Sequence, residues 1–244
     1  MTAFRAPVPP VWYSSVVVAQ PELVRVQYAV PRARDAWELS EETMPESVVH
    51  DAAVELLKSL LDLWATRTGA FVARNLAVRW VEARPQVGVD PDVSVFREPP
   101  ANSTELRSIK TWIEGHQPPA IAVEVVSETN SIKDYASAPD KYAASGTTEL
   151  WVFDPLLAGP SAQGGPYRLQ VWTRAADGFT RVYAGNGPAF SPELGAHLVV
   201  VESGRKLRVA DDAEGARLWP TPAEERDAAL TRVAELEAEL RRRG

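Results

Sequence analysis

The 244-residue chain contains no cysteine, which excludes disulfides, a thiolate nucleophile and cysteine-ligated zinc. Its three histidines, His50, His116 and His197, are scattered and lack the HExxH-type spacing of a histidine-held zinc. Any metal is therefore expected on oxygen ligands, the preference of magnesium and manganese. Long apolar runs are also missing. No stretch approaches the ~20 residues that span a bilayer, and no basic segment followed by an apolar one opens the chain, so a cytoplasmic location is expected. Neither GxxxxGK followed by Ser or Thr nor GxGxxG occurs, which removes the usual glycine-rich phosphate loops. Positive charge is in deficit, with 26 Lys and Arg against 33 Asp and Glu, a net charge of −7 and a pI near 5.1. That balance opposes indiscriminate binding to a polyanion but leaves room for a local basic face.

What is present suits one large domain with appendages, since 45% of the residues are hydrophobic and 24% charged. Residues 1–46, rich in proline and charge, read as an arm with edge strands at 16–19 and 24–30. Ser47 then caps a helix whose apolar residues, from Val49 through Ala53, Leu56, Leu57, Leu60 and Trp64, recur at helical spacing up to Gly69. Residues 71–80 and 87–96 alternate apolar and polar around Arg84-Pro85-Gln86 and read as a hairpin. A short helix is expected within 104–115. The run 121–126 is apolar on both faces except at Glu124, as in a central strand covered on both sides.

A second helix is expected over 134–145, with Ser137 and Pro139 as start signals and Gly146 as its cap. The strand 149–153 follows, ending at Asp154-Pro155. The order helix, hairpin, strand, helix, strand describes an α/β mixed sheet flanked by helices. Strand-like runs over 167–210 read as a C-terminal β extension of the same domain, so that 47–210 forms one unit. Residues 211–244 read as a linker and a short terminal helix. In it Ala229, Val233, Leu236 and Leu240 are spaced four and three apart, a pattern that suits packing on the domain, pairing with another chain or a solvated helix end.

Two carboxylates stand where core residues belong: Asp92 in Val-Gly-Val-Asp-Pro-Asp-Val-Ser-Val-Phe and Glu124 in Ala-Ile-Ala-Val-Glu-Val-Val-Ser. An ionised carboxylate inside an apolar strand costs several kcal/mol unless it is paired or holds a metal. With Lys141 on the following helix, they form a minimal set for metal-assisted phosphodiester hydrolysis: oxygens for the ion, and an amine to orient water and counter developing charge. Read in isolation, Pro91-Asp92 also suits a strand-initiating turn, and Lys141 a solvated helix residue.

From about His50 to Tyr183 the sequence resembles the Uma2-like (DUF820) family of the PD-(D/E)XK nuclease superfamily. The resemblance rests on His50 entering the long helix, Pro91-Asp92, Val123-Glu124-Val125-Val126-Ser127, Asp134 with Lys141-Tyr142, and Gly146 before Glu149-Leu150-Trp151-Val152-Phe153-Asp154-Pro155. It implies a restriction-endonuclease-like fold and a Mg2+- or Mn2+-dependent endonuclease acting on nucleic acid, with DNA expected and a homodimer as the working form. Asp92, Glu124 and the Val125 carbonyl become the metal ligands, and His50 a residue that positions water or binds phosphate. The strand motif reads Glu124-Val125-Val126, without the superfamily's lysine, which nominates Lys141. Glu38 and Glu46 are alternative auxiliary acids. Two other functions stay open: a nuclease fold kept as a binding or assembly module, and a hydrolase of small phosphate esters.

Overall fold

A computed structural model describes residues 23–25, 47–128, 131–176 and 178–243. The strand expected at 16–19 and the candidate acids Glu38 and Glu46 lie outside the described residues; of the one expected over 24–30, β1 (Leu23–Arg25) is described.

Helix α1 (Val48–Thr68) starts and stops on its sequence signals. Ser47 Oγ accepts the N–H of His50 at 3.2 Å, and Gly69, at φ 78°, adopts the left-handed conformation that ends the helix. Ala53, Leu57, Leu60, Leu61 and Ala65 form its buried stripe. Each fully buried leucine there contributes roughly 1.5–3 kcal/mol.

The stripe packs on a seven-stranded sheet in the order β1-β10-β9-β8-β7-β5-β2. Its strands are β2 (Phe71–Arg74), β5 (Val93–Phe96), β7 (Ile121–Val125), β8 (Glu149–Phe153), β9 (Leu169–Ala175) and β10 (Gly178–Gly185), with β1 at the edge. All neighbours are antiparallel except β7 and β8. Parallel neighbours need a crossover, and the helical segment between β7 and β8 supplies it: a π-turn, Lys133–Ser137, running into α2 (Ala138–Ser145).

Every residue of β7 and β8 is buried, as central strands require. Alternation divides β7 between two cores. Ile121, Val123 and Val125 pack with Leu57 and Leu61 of α1, while Ala122 and Val126 pack with Tyr142 and Ala143 of α2. Glu124 shares the parity of Ala122 and Val126, so its carboxylate is delivered to the α2 face.

Four expectations change on contact with the structure. The hairpin over 71–96 is broken in both arms. Asn75, at φ 50°, separates β2 from β3 (Ala77–Arg79), and residues 90–92 separate β4 (Gly88–Val89) from β5. The two breaks lie side by side, with the Asn75 N–H bonded to the Asp92 carbonyl at 3.4 Å. Beyond them β3 and β4 turn into a separate sheet, β4-β3-β6. The helix expected within 104–115 is instead β6 (Ser108–Lys110), parallel to β3, with Ile109 fully buried between half-buried neighbours. Alternation over three residues is too short to be read before its partner strand is known.

The β extension divides. Strands β9 and β10 continue the main sheet, because Leu169 and Val171 bury one face and Trp172 the other. Only β11 (Ala189–Ser191), β12 (Ala196–Val201) and β13 (Lys206–Ala210) form a sheet of their own, and Leu198, Leu207 and Val209 join the α1 core. The terminal helix is not short: α3 runs over Pro222–Arg243.

Candidate functional site

The double strand break positions Asp92. The β5–β7 register ends at Val93 opposite Val123, and two residues further it would set Pro91 against Val125. Proline has no N–H to give to a ladder, and here the side chain of Asp92 takes over. Its Oδ2 accepts the Val125 N–H at 2.7 Å. In an extended strand a residue's N–H and C=O leave on the same side, so the Val125 carbonyl also points toward this gap in the ladder. His50, held in the first turn of α1, brings Nε2 to 3.2 Å from the same Asp92 oxygen.

One residue back along β7, Glu124 is 3% exposed. Its Oε1 accepts a 2.6 Å hydrogen bond from the Tyr142 hydroxyl of α2. Lys133 Nζ stands 3.9 Å from its Oε2 and 4.0 Å from Asp134 Oδ1. Burial, the largest influence, pushes the Glu124 carboxyl up to about 7. Lys133 and the Tyr142 hydrogen bond oppose that rise, while the negative charges of Asp92 and Asp90 add to it. Lys133 is held more firmly protonated, chiefly by Glu124. Asp134, itself buried, is pushed well above the usual carboxylate range by burial and then by Glu124.

Asp92, Glu124, Val125 and His50 are therefore brought together. Lys141 is in the same neighbourhood: burial and then the like charge of Lys133 lower its pKa, and Glu124 acts in the other direction. The lysine at ion-pair distance from Glu124, however, is Lys133. Sequence reasoning passed over Lys133, and it assigned Tyr142 and Asp134 no part in supporting Glu124. The available signal was a Lys-Asp pair opening the helix, eight positions after the Glu124-bearing strand ends. Among the described residues no group of three or more His, Asp or Glu side chains is arranged to hold an ion. A cation here would rest on two carboxylates and a backbone carbonyl.

Elsewhere, buried carboxylates are consumed by structure. Asp154 accepts the N–H groups of Ala158 and Gly159 at 2.9 and 2.8 Å and the Tyr135 hydroxyl at 3.0 Å, closing the turn after β8. Trp151, Phe153 and Trp172 are core residues.

An α/β framework with a mixed sheet, carrying a carboxylate pair where its central antiparallel ladder is interrupted, defines the class as restriction-endonuclease-like. The model of the Uma2 family, described as "Putative restriction endonuclease", matches residues 28–191, a span that takes in both carboxylates and every strand from β2 to β11. The chain belongs to the Uma2 family. A solved structure, a putative nuclease belonging to DUF820 from Anabaena variabilis, is similar at 18% identity with a TM-score of 0.42, covering 62% of this chain and 76% of that one. No curated protein matches.

Proposed function

We propose that the chain is a nuclease that hydrolyses DNA phosphodiester bonds in the cytoplasm, using Mg2+ or Mn2+ held by the Asp92 and Glu124 carboxylates and the Val125 carbonyl. The observation that carries this reading is convergence. Asp92 is bonded to the backbone of the residue next to Glu124, so the two acids and that residue's carbonyl edge meet at one gap in the sheet. The donor set fits a hard divalent ion, because its donors are all oxygen. It also fits electrostatically, since Asp92 adds to the burial that keeps Glu124 from ionising, and a cation between them would relieve both.

When bound, such an ion supplies an acidified water and offsets charge on the phosphate. The remaining work falls to the chain. Lys133, 3.9 Å from Glu124, aims a fixed positive charge at the same place, where it orients water or counters charge on a phosphate oxygen. Lys141 is the second candidate for that task. His50 and the Val125 N–H hold Asp92 in orientation, and Tyr142 does the same for Glu124. Cutting both strands of a duplex calls for two sites, which a homodimer provides.

The test is cleavage of DNA and RNA by the purified chain with and without Mg2+ or Mn2+. Asp92→Asn and Glu124→Gln should abolish metal-dependent cleavage while circular dichroism stays unchanged. Parental activity in either variant overturns the reading, as does a parent that cuts neither nucleic acid. Mn2+ binding that depends on Glu124 but leads to no cleavage would favour the nuclease fold as a binding module.

A further inference from the structure

Helix α3 carries its apolar residues on the outside. Leu230, Val233, Leu236 and Leu240 are 61%, 53%, 43% and 70% exposed, and no residue of the helix is buried. Its first turn is tied to the body, by Glu224 to Arg208 and by Glu225 to Arg67, each at 2.8 Å. Packing of an apolar face, rather than intrinsic propensity, supplies most of a helix's stability in a protein. This one has a face made for packing.

Ala229, Val233, Leu236 and Leu240 follow the four-three spacing of a coiled-coil seam, with Val233 and Leu240 at a and Ala229 and Leu236 at d. The flanking g positions, Arg232 and Glu239, are of opposite sign. The helix is also polarised along its length, with Glu224 and Glu225 in the first turn and Arg241, Arg242 and Arg243 in the last.

We propose that this seam is an interaction surface whose partner is the α3 seam of a second copy of the chain, laid antiparallel across a two-fold axis. Leu240 then meets Ala229 of the partner subunit, and Val233 meets Leu236 of the partner subunit. Arg232 faces Glu239 of the partner subunit, and symmetry repeats each contact. In this register Arg241, Arg242 and Arg243 of each helix come to lie opposite Ala228, Asp227 and Arg226 of the other, and the helix dipoles are opposed favourably. A parallel pair would bury the same apolar residues but would gather six arginines at one end. Charge therefore selects the orientation, while the apolar residues supply the attraction. The proposal stands apart from the nuclease reading and does not need it.

Light scattering on the full chain, over about 1 to 100 μM to bracket a micromolar dissociation constant, should report twice the 26.7 kDa chain mass at the upper end. Leu236→Glu combined with Leu240→Glu should return the mass to that of one chain. At about 1 μM, below a micromolar dissociation constant, its thermal unfolding should match the parent's, because both positions are exposed in the single chain. A parent that stays monomeric throughout, or a double variant that stays dimeric, overturns the proposal.

The absence of native cysteine makes orientation directly readable. Under mild oxidation, a mixture of Ala229→Cys and Leu240→Cys chains should form a disulfide between the two variants. Neither should link to itself, because in the antiparallel pair like positions sit roughly 16 Å apart along the axis. Self-linking of Ala229→Cys alone would mean parallel helices and would overturn the proposed arrangement.

Discussion

Tyr142 donates a 2.6 Å hydrogen bond to Glu124 from a fully buried position, so the one acid on the central strand is aimed by a residue of the crossover helix. Burial and the Glu124 charge both keep that phenol protonated, which preserves it as a donor. Tyr142→Phe should leave the ring's packing in place and remove only the donor. The expected cost is about 1–3 kcal/mol of stability and a roughly 10- to 100-fold loss of Mn2+ affinity, read by denaturant titration and calorimetry. Unchanged metal affinity would show that the hydroxyl serves packing alone.

Lys133 and Lys141 make opposite forecasts. If the nearer amine serves the reaction, Lys133→Ala should lower the rate of DNA cleavage by roughly 10²–10⁴-fold, with Lys133→Arg restoring part of it. Lys141→Ala should have the smaller effect. A single-turnover assay at saturating Mg2+ compares them, and the reverse ranking would return the assignment to Lys141.

The Glu124 carboxyl gives metal-free protein a pH signature. Its ordinary value is 4.5 and burial raises it to about 7, so the folded chain holds this proton where the unfolded chain has released it. The stability gained is complete below the unfolded value and is lost as pH rises through about 7; its upper limit is roughly 3 kcal/mol. Asp134 is pushed in the same direction, so Glu124→Gln should remove part of the fall in melting temperature across this window. A variant with the parent's full pH slope would assign the titration elsewhere.

His50 Nε2 meets the same Asp92 oxygen that accepts the Val125 N–H. His50→Ala should cost roughly 10- to 100-fold in Mn2+ affinity while sparing the helix, whose cap is made by Ser47 through the His50 backbone. Affinity equal to the parent's would confine His50 to packing.

Much of this arrangement was legible in the residues. The cap at Ser47, the stop at Gly69, the both-faces-apolar strand around Glu124 and the strand ending before Asp154-Pro155 are local signals, and the structure repeats them to within a residue or two. Asp92 and Glu124 stood out because carboxylates are costly in such surroundings. The remainder depends on contacts distant in sequence. Nothing near Asn75 announces that its break will fall beside Asp92, since each is an ordinary turn until the strands are paired. Ser108–Lys110 becomes a strand only because β3 lies alongside it. Lys133 lies one residue ahead of the helix expected over 134–145, and its place beside Glu124 depends on how the crossover helix is wound.

That winding has a geometric result. Lys133 and Tyr142 are nine residues apart; in an unbroken α-helix nine residues turn about 900°, two and a half revolutions, so the two side chains would face opposite ways. The π-turn at Lys133–Ser137 acts as a one-residue insertion and takes back about 100° of that rotation. The phase difference falls to roughly 80°, and both side chains reach the two oxygens of Glu124. Winding the same nine steps as an unbroken α-helix would keep every site residue in the chain and still put the lysine and the tyrosine on opposite sides of the helix.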